Sequence, residues 1–160
     1  MVTLAALLAA VVPALLPAGH GWHVGSARID TVGCPRCVQT DSWASTLRYA
    51  DPPNQFPPHR TMARMGPHDL VIQVIRSWEP NAPGWMHDQH PLRIVRSQIH
   101  ANFEGNTTHE RVALWSGATW RAGSFVSVMV LFGSPVPTTR DVARAQHELD
   151  GTRYIPWQLR

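Results

Sequence analysis

One run of residues limits the fold more than any other. From Leu70 to Trp78 the chain reads LVIQVIRSW, with Leu70, Ile72, Val74 and Trp78 on one face by the two-residue period of a strand, interrupted by Arg76. Val71 and Ile75 occupy the other face with Gln73 and Ser77, so both faces of this strand have to be covered. Gly66-Pro67 punctuates its start. Upstream, Phe56-Pro57-Pro58 favours an extended, donor-poor backbone lying across a sheet edge over a helix. His59 and Arg60 follow as the polar part of that segment and are candidate ligand contacts on a stiff loop.

Further strands are read along the same lines. Leu92 to Phe103 is extended, with a change of face midway that suggests a bulge. Arg111 to Trp115 forms a short strand, Ser116-Gly117 turns, and Trp120 to Gly123 leads into Phe125–Phe132, which is apolar on both faces and predicts the central strand. Between Asp41 and Asp51 a turn precedes a short extended piece carrying Trp43, Leu47 and Tyr49. Pro135 and Pro137 end the sheet, and Thr138 or Thr139 caps one helix running to about Asp150 with Gly151 as its stop. Its narrow apolar stripe is Val142, Ala145 and Leu149, with Arg140, Arg144, His147 and Glu148 on a solvated side. The predicted fold is mainly β with one C-terminal helix (α+β): an antiparallel sheet or sandwich of about five to seven strands. At 160 residues the chain has room for one such domain.

The first eighteen residues, MVTLAALLAAVVPALLPA, are apolar and uncharged. They predict an export leader or an N-terminal membrane anchor over residues 1–21, followed by a single β-rich domain over 22–160. Small side chains at Ala14, Ala18, Gly19 and Gly21 all offer cleavage positions. The chain is then extracytoplasmic, secreted or membrane-anchored in a bacterial cell envelope, and touches a membrane only through this segment. All fourteen basic side chains are Arg, spread along the sequence, and the net charge is only +3. Nucleic acid is therefore not an expected partner.

Export decides how the lone cysteine pair is read. Cys34 and Cys37 stand in Gly-Cys-Pro-Arg-Cys, and an oxidising compartment with an even thiol count favours a local disulfide. A thioredoxin-like redox pair needs a helix after the first Cys, and a structural zinc site needs two more ligands at matching spacing. The loop from Trp78 to His90 is the other concentration of chemistry. Trp85, His87 and His90 are candidate binding residues, and with Met86 the two imidazoles suit a soft extracellular metal if a third ligand joins them. His20 and His23 are a second imidazole pair, close behind the leader.

With WASTLRYAD, FPPHRTMARM and HDLVIQV in series, and FVSVMVLFGSPVPTTRDVARAQHELDGTRY near the end, the chain resembles a group of small uncharacterised exported or membrane-anchored proteins of high-GC bacteria. An aromatic-flanked aspartate, a Phe-Pro-Pro segment followed by Thr, a Val/Ile-rich strand, and a Phe-Gly turn with Pro and helix recur there in this order. The resemblance implies a shared fold and an extracytoplasmic location, and no activity.

No phosphate-binding Gly-rich loop, serine elbow or HExxH occurs, and the carboxylates form no recognisable acid/base pair. No catalytic residue and no cofactor are assigned. The expectation is a non-catalytic envelope binding or interaction module whose partner is an unidentified envelope component or small ligand. The alternative is an exported copper- or zinc-binding or thiol-redox protein using the loop histidines or Cys34 and Cys37.

Overall fold

The structure is a computed structural model that describes residues 14–29, 37–53, 55–78, 92–101, 111–121 and 124–154. Among these residues six strands form one open antiparallel sheet: β1 (His23–Ile29), β2 (Val38–Ser45), β3 (Leu70–Trp78), β4 (His100–Ala101), β5 (Ala113–Arg121) and β6 (Ser124–Phe132). Their spatial order is β1-β2-β3-β6-β5-β4. Two three-stranded meanders are thus joined where β6 pairs with β3, from Leu70 opposite Phe132 to Ser77 opposite Phe125. A short helix α1 (His59–Met62) precedes β3, and α2 (Thr139–Asp150) follows β6. The predicted mainly β fold with a C-terminal helix is the observed one, as a single sheet and not a sandwich.

The alternation read from Leu70–Trp78 sets the two layers. Leu70, Ile72 and Val74 join Val126, Val128, Val130 and Phe132 of β6, Ala113 and Trp115 of β5, and Ala44 of β2 in the main core. Ala145 and Leu149 of α2 close it from above, with Val142 packed at its margin. The opposite face carries Val71 and Leu131 against Met62 and Val112, flanked by Leu47, Tyr49, Phe56 and Met65. Phe125–Phe132 lies between β3 and β5; its Val126, Val128, Val130 and Phe132 face the main core, while on the other face only Leu131 is buried and Phe125 is 43% exposed.

The main core also draws on the N-terminal segment. Ala14 (3% exposed) and Leu16 (9%) are buried among the α2 and β6 side chains. Between them Leu15 forms a bridge with Arg153, each backbone N–H donating to the other's carbonyl at 2.9 Å. Burying a leucine of this kind is worth about 1.5–3 kcal/mol. Residues 14–22, which lead from this bridge to β1, form the N-terminal strap.

Four local expectations are corrected. The segment after Phe56-Pro57, a cis bond, turns into α1 at His59 instead of staying extended. The cause is Asp51, whose carboxylate accepts from the backbone N–H groups of Arg60 (2.9 Å) and Thr61 (2.8 Å) and so satisfies the first donors of the helix. Ser116-Gly117 is no turn, because β5 runs unbroken through it. Gly117 is instead the seat of the Trp115 ring, which lies 2.5 Å from where a Cβ would stand. Leu92 to Ala101 forms a 3₁₀ turn at Arg96–Gln98 and then the two-residue β4. Its backbone is taken up by the helix through Gln146, which accepts from Ile94 N–H (2.8 Å) and donates to Leu92 C=O (3.0 Å), while the Arg96 guanidinium donates to Pro137 C=O ahead of the helix. Lastly, β2 begins at Val38, ahead of Asp41, and Asp41 is fully buried inside it.

Helix α2 is as the sequence indicates. Thr138 Oγ1 accepts from Asp141 N–H (3.2 Å) while the Asp141 carboxylate accepts from Thr138 N–H (3.0 Å), a reciprocal capping box.

Candidate functional site

His59 and Arg60 sit at the start of α1 with exposed side chains. What this segment contributes to the fold is backbone: Asp51 (8% exposed) binds Arg60 N–H, Thr61 N–H and Thr61 Oγ1, and Thr61 Oγ1 in turn accepts from Ala50 N–H at 2.9 Å. Trp85, His87 and His90 lie outside the described residues, as does Cys34. Cys37 carries no free thiol. Among the described residues no group of three His, Cys, Asp or Glu side chains is placed to hold a metal ion. No helix among them is long and apolar enough to cross a membrane.

A different set of residues is brought together where the N-terminal strap crosses α2. A cleft of about 580 Å³ opens between Pro17, Gly19, His20 and Trp22 on the strap and Arg144, His147, Glu148, Asp150 and Gly151 at the helix end. Local chemistry shapes both walls. Gly19 C=O accepts from Trp22 N–H at 3.1 Å, and the tight turn between them passes through Gly21 at φ +82°, where a side chain is strained. At Gly151 a Cβ would stand 2.6 Å from the Pro17 ring, so a glycine there lets the strap lie against the helix terminus. Trp22 forms one side of the cleft, and the Arg144 guanidinium lies 5.2 Å from its ring centre in a cation–π contact.

Glu148 is the chemically unusual member. Placed on the solvated side of α2 by its sequence position, it is only 3% exposed, because the strap folds over it. Among the described residues its Oε1 has no hydrogen-bond partner. Burial pushes the carboxyl above the usual glutamate range, and the neighbouring His147 and Arg144 pull the other way without cancelling the rise. Arg144, expected in the same solvated set, is half-buried against Trp22. Arg140 and His147 are exposed, as read.

Three further polar sites are taken up by contacts within the fold. His68 Nδ1 lies 3.3 Å from Asp141 Oδ2 beside a cavity of about 410 Å³, but that oxygen already takes the Thr138 N–H and hydroxyl. Burial raises the Asp141 pKa, and the Thr138 and His68 hydrogen bonds outweigh it, leaving the carboxyl below its ordinary value. At the far end of the main core Arg76 is fully buried, its Nε donating to Ser124 Oγ (3.0 Å), which donates to Arg121 C=O (2.8 Å). Burial lowers the Arg76 pKa and a nearby Tyr154 opposes it. On the other face Trp43 stacks on Tyr49 at 5.0 Å, beside a fully buried Asp41 that accepts from Gln73 Nε2 at 2.8 Å. The Tyr49 hydroxyl is pushed up by burial and by the nearby Asp41 and Asp51.

The strap cleft was not legible beforehand, because reading residues 1–21 as a leader removes one wall of it. The only signal was Gly-His-Gly-Trp-His at residues 19–23, an aromatic and two imidazoles among glycines. Compared with known proteins, the chain matches no family model, no curated protein and no solved structure.

Proposed function

We propose that this is an extracytoplasmic, non-catalytic binding module of the bacterial cell envelope, and that its ligand seat is the cleft between the strap and α2. The observation that carries the reading is the composition of that cleft. A volume of about 580 Å³ is within the range of small-ligand sites. One indole supplies the apolar wall, while Arg144, His20 and His147 supply donors and Glu148 an acceptor. The ligand class that fits is a small polar envelope component with both donors and acceptors, such as an amino sugar or a short peptide carrying a carboxylate. Cys34 and Cys37 form a local disulfide in this reading, in keeping with the absence of a free thiol at Cys37.

The test is ligand-observed NMR with soluble peptidoglycan fragments against the intact chain. Saturation transfer to a fragment, lost in Arg144→Ala and in Trp22→Leu but kept in His59→Ala, is the expected result. Transfer that survives both cleft substitutions, or no transfer from any fragment, contradicts it.

A further inference from the structure

Two groups of opposite charge stand one turn apart on the helix wall of the strap cleft. Arg144 and Glu148 both line it and lie four residues apart on α2, so they share one face with about 5–6 Å between their Cβ atoms. Each is faced by a strap residue that has no side chain. A Cβ at Gly21 would stand 3.8 Å from Arg144 Nη2, and a Cβ at Gly19 would stand 4.0 Å from Glu148 Oε2. Room is thus kept beside both charged ends. The guanidinium lies 5.2 Å from the centre of the Trp22 ring, and one held by its flat face keeps its N–H edge for a forked contact with a carboxylate. Glu148 is only 3% exposed, and among the described residues its Oε1 has no hydrogen-bond partner. A buried carboxylate with an unpaired oxygen is stabilised by a donor, and most by a charged one.

We infer that the cleft binds a group carrying an ammonium and a carboxylate on the same carbon, the ammonium donating to Glu148 and the carboxylate accepting from Arg144. The inference rests on the proposed binding function and narrows its ligand to the free α-amino acid end of an envelope component. Burial penalises the lone Glu148 carboxylate and raises its pKa, and a bound ammonium offsets that penalty. A ligand with one charge removed leaves one wall unmatched. Acetylation of the amine brings a neutral amide to Glu148, and amidation of the carboxyl brings a neutral group to Arg144. Trp22 supplies apolar surface for the carbon chain, and His20, His147 and Asp150 line the remainder.

The test is saturation-transfer NMR on the intact chain with meso-diaminopimelic acid, its di-N-acetyl derivative and its diamide as probes. The free amino acid should bind, and each derivative should bind more weakly by about tenfold or more, the scale of one charge-assisted hydrogen bond. In Glu148→Gln, with an unchanged circular dichroism spectrum, the free and acetylated forms should bind alike. Discrimination that survives in Glu148→Gln overturns the inference, since Glu148 then only shapes the fold. Equal binding of the free acid and either derivative to the unaltered chain overturns it too, as does no binding of the free acid while peptidoglycan fragments still give transfer; both leave the binding reading standing. No transfer from these probes or from any fragment overturns both.

Discussion

Thr61 is held by Asp51 through two hydrogen bonds to the same carboxylate oxygen, from its backbone N–H at 2.8 Å and its hydroxyl at 2.6 Å. This latch explains why an aspartate, a Phe-Pro-Pro segment and a following threonine stand together in the sequence. The carboxylate supplies the cap that a helix of four residues, preceded by two prolines, cannot provide for itself. Because the hydrogen bonds are charge-assisted and buried, Asp51→Ala should cost about 3 kcal/mol and Thr61→Val about 1–2 kcal/mol. In urea unfolding the double variant should lose less than the sum of the two. Additive losses would show that the two residues act separately.

The buried guanidinium of Arg76 makes a second, opposite prediction about substitution size. Ser124→Ala removes the acceptor of Nε and should destabilise by about 1–3 kcal/mol. Arg76→Met, which fills the space without a charge, should be tolerated better than Arg76→Ala, whose cost is about 3–5 kcal/mol. If Met and Ala prove equally damaging in thermal unfolding, the polar contacts of Arg76 matter more than its volume.

Two carboxylates give stability a pH profile with opposing limbs. Asp141 titrates below its ordinary value in the folded state, so the unfolded chain binds more protons there. Its contribution is full above the ordinary aspartate range and is lost as pH falls through the folded value. Glu148 titrates above its ordinary value, so the folded chain binds more protons, and stability declines as pH rises from the ordinary glutamate range to the raised one. Glu148→Gln should abolish the second decline and stabilise the protein at neutral pH, while Thr138→Ala should cost about 1 kcal/mol and weaken the first limb. Chemical denaturation across pH 3–8 reads both. A Gln variant with an unchanged slope would place Glu148 in water.

Gly133 lies where β6 ends, and its N–H donates to Asp69 C=O at 2.9 Å. A Cβ there would fall 1.9 Å from the Gly66 carbonyl oxygen, which is backbone and has to move. Gly133→Ala should therefore destabilise by about 3 kcal/mol, whereas Gly66→Ala, whose Cβ would meet only the Asp69 carboxylate at 3.4 Å, should change stability far less. Equal unfolding midpoints for the two would refute the close approach.

The sheet and its helix were legible because their signals are local. Period-two alternation in Leu70–Trp78, the doubly apolar Phe125–Phe132 and the Thr138-to-Gly151 cap pair each need only their own neighbours. What escaped was decided at a distance. Helix α1 depends on a carboxylate eight residues upstream of its first residue, and the unbroken β5 on a tryptophan ring resting over Gly117. The β1 strand, HVGSARI, escaped because its burial pattern is mostly exposed and carries little hydrophobic alternation. Glu148 has the spacing of a surface residue and becomes buried only when residues far away in sequence fold across it. Arg76 interrupts the apolar face of its strand, and its full burial follows from a partner on β6, Ser124, that no period can name.

Extracytoplasmic placement is the claim on which the binding proposal and the cysteine chemistry both depend. Its most direct measurement is a C-terminal fusion of the intact chain to alkaline phosphatase, which folds and acts only outside the cytoplasm. The account predicts high phosphatase activity in whole cells, reduced to background when Leu7 and Leu8 are replaced by Arg. Background activity from an intact, abundant fusion of the unaltered chain would contradict it.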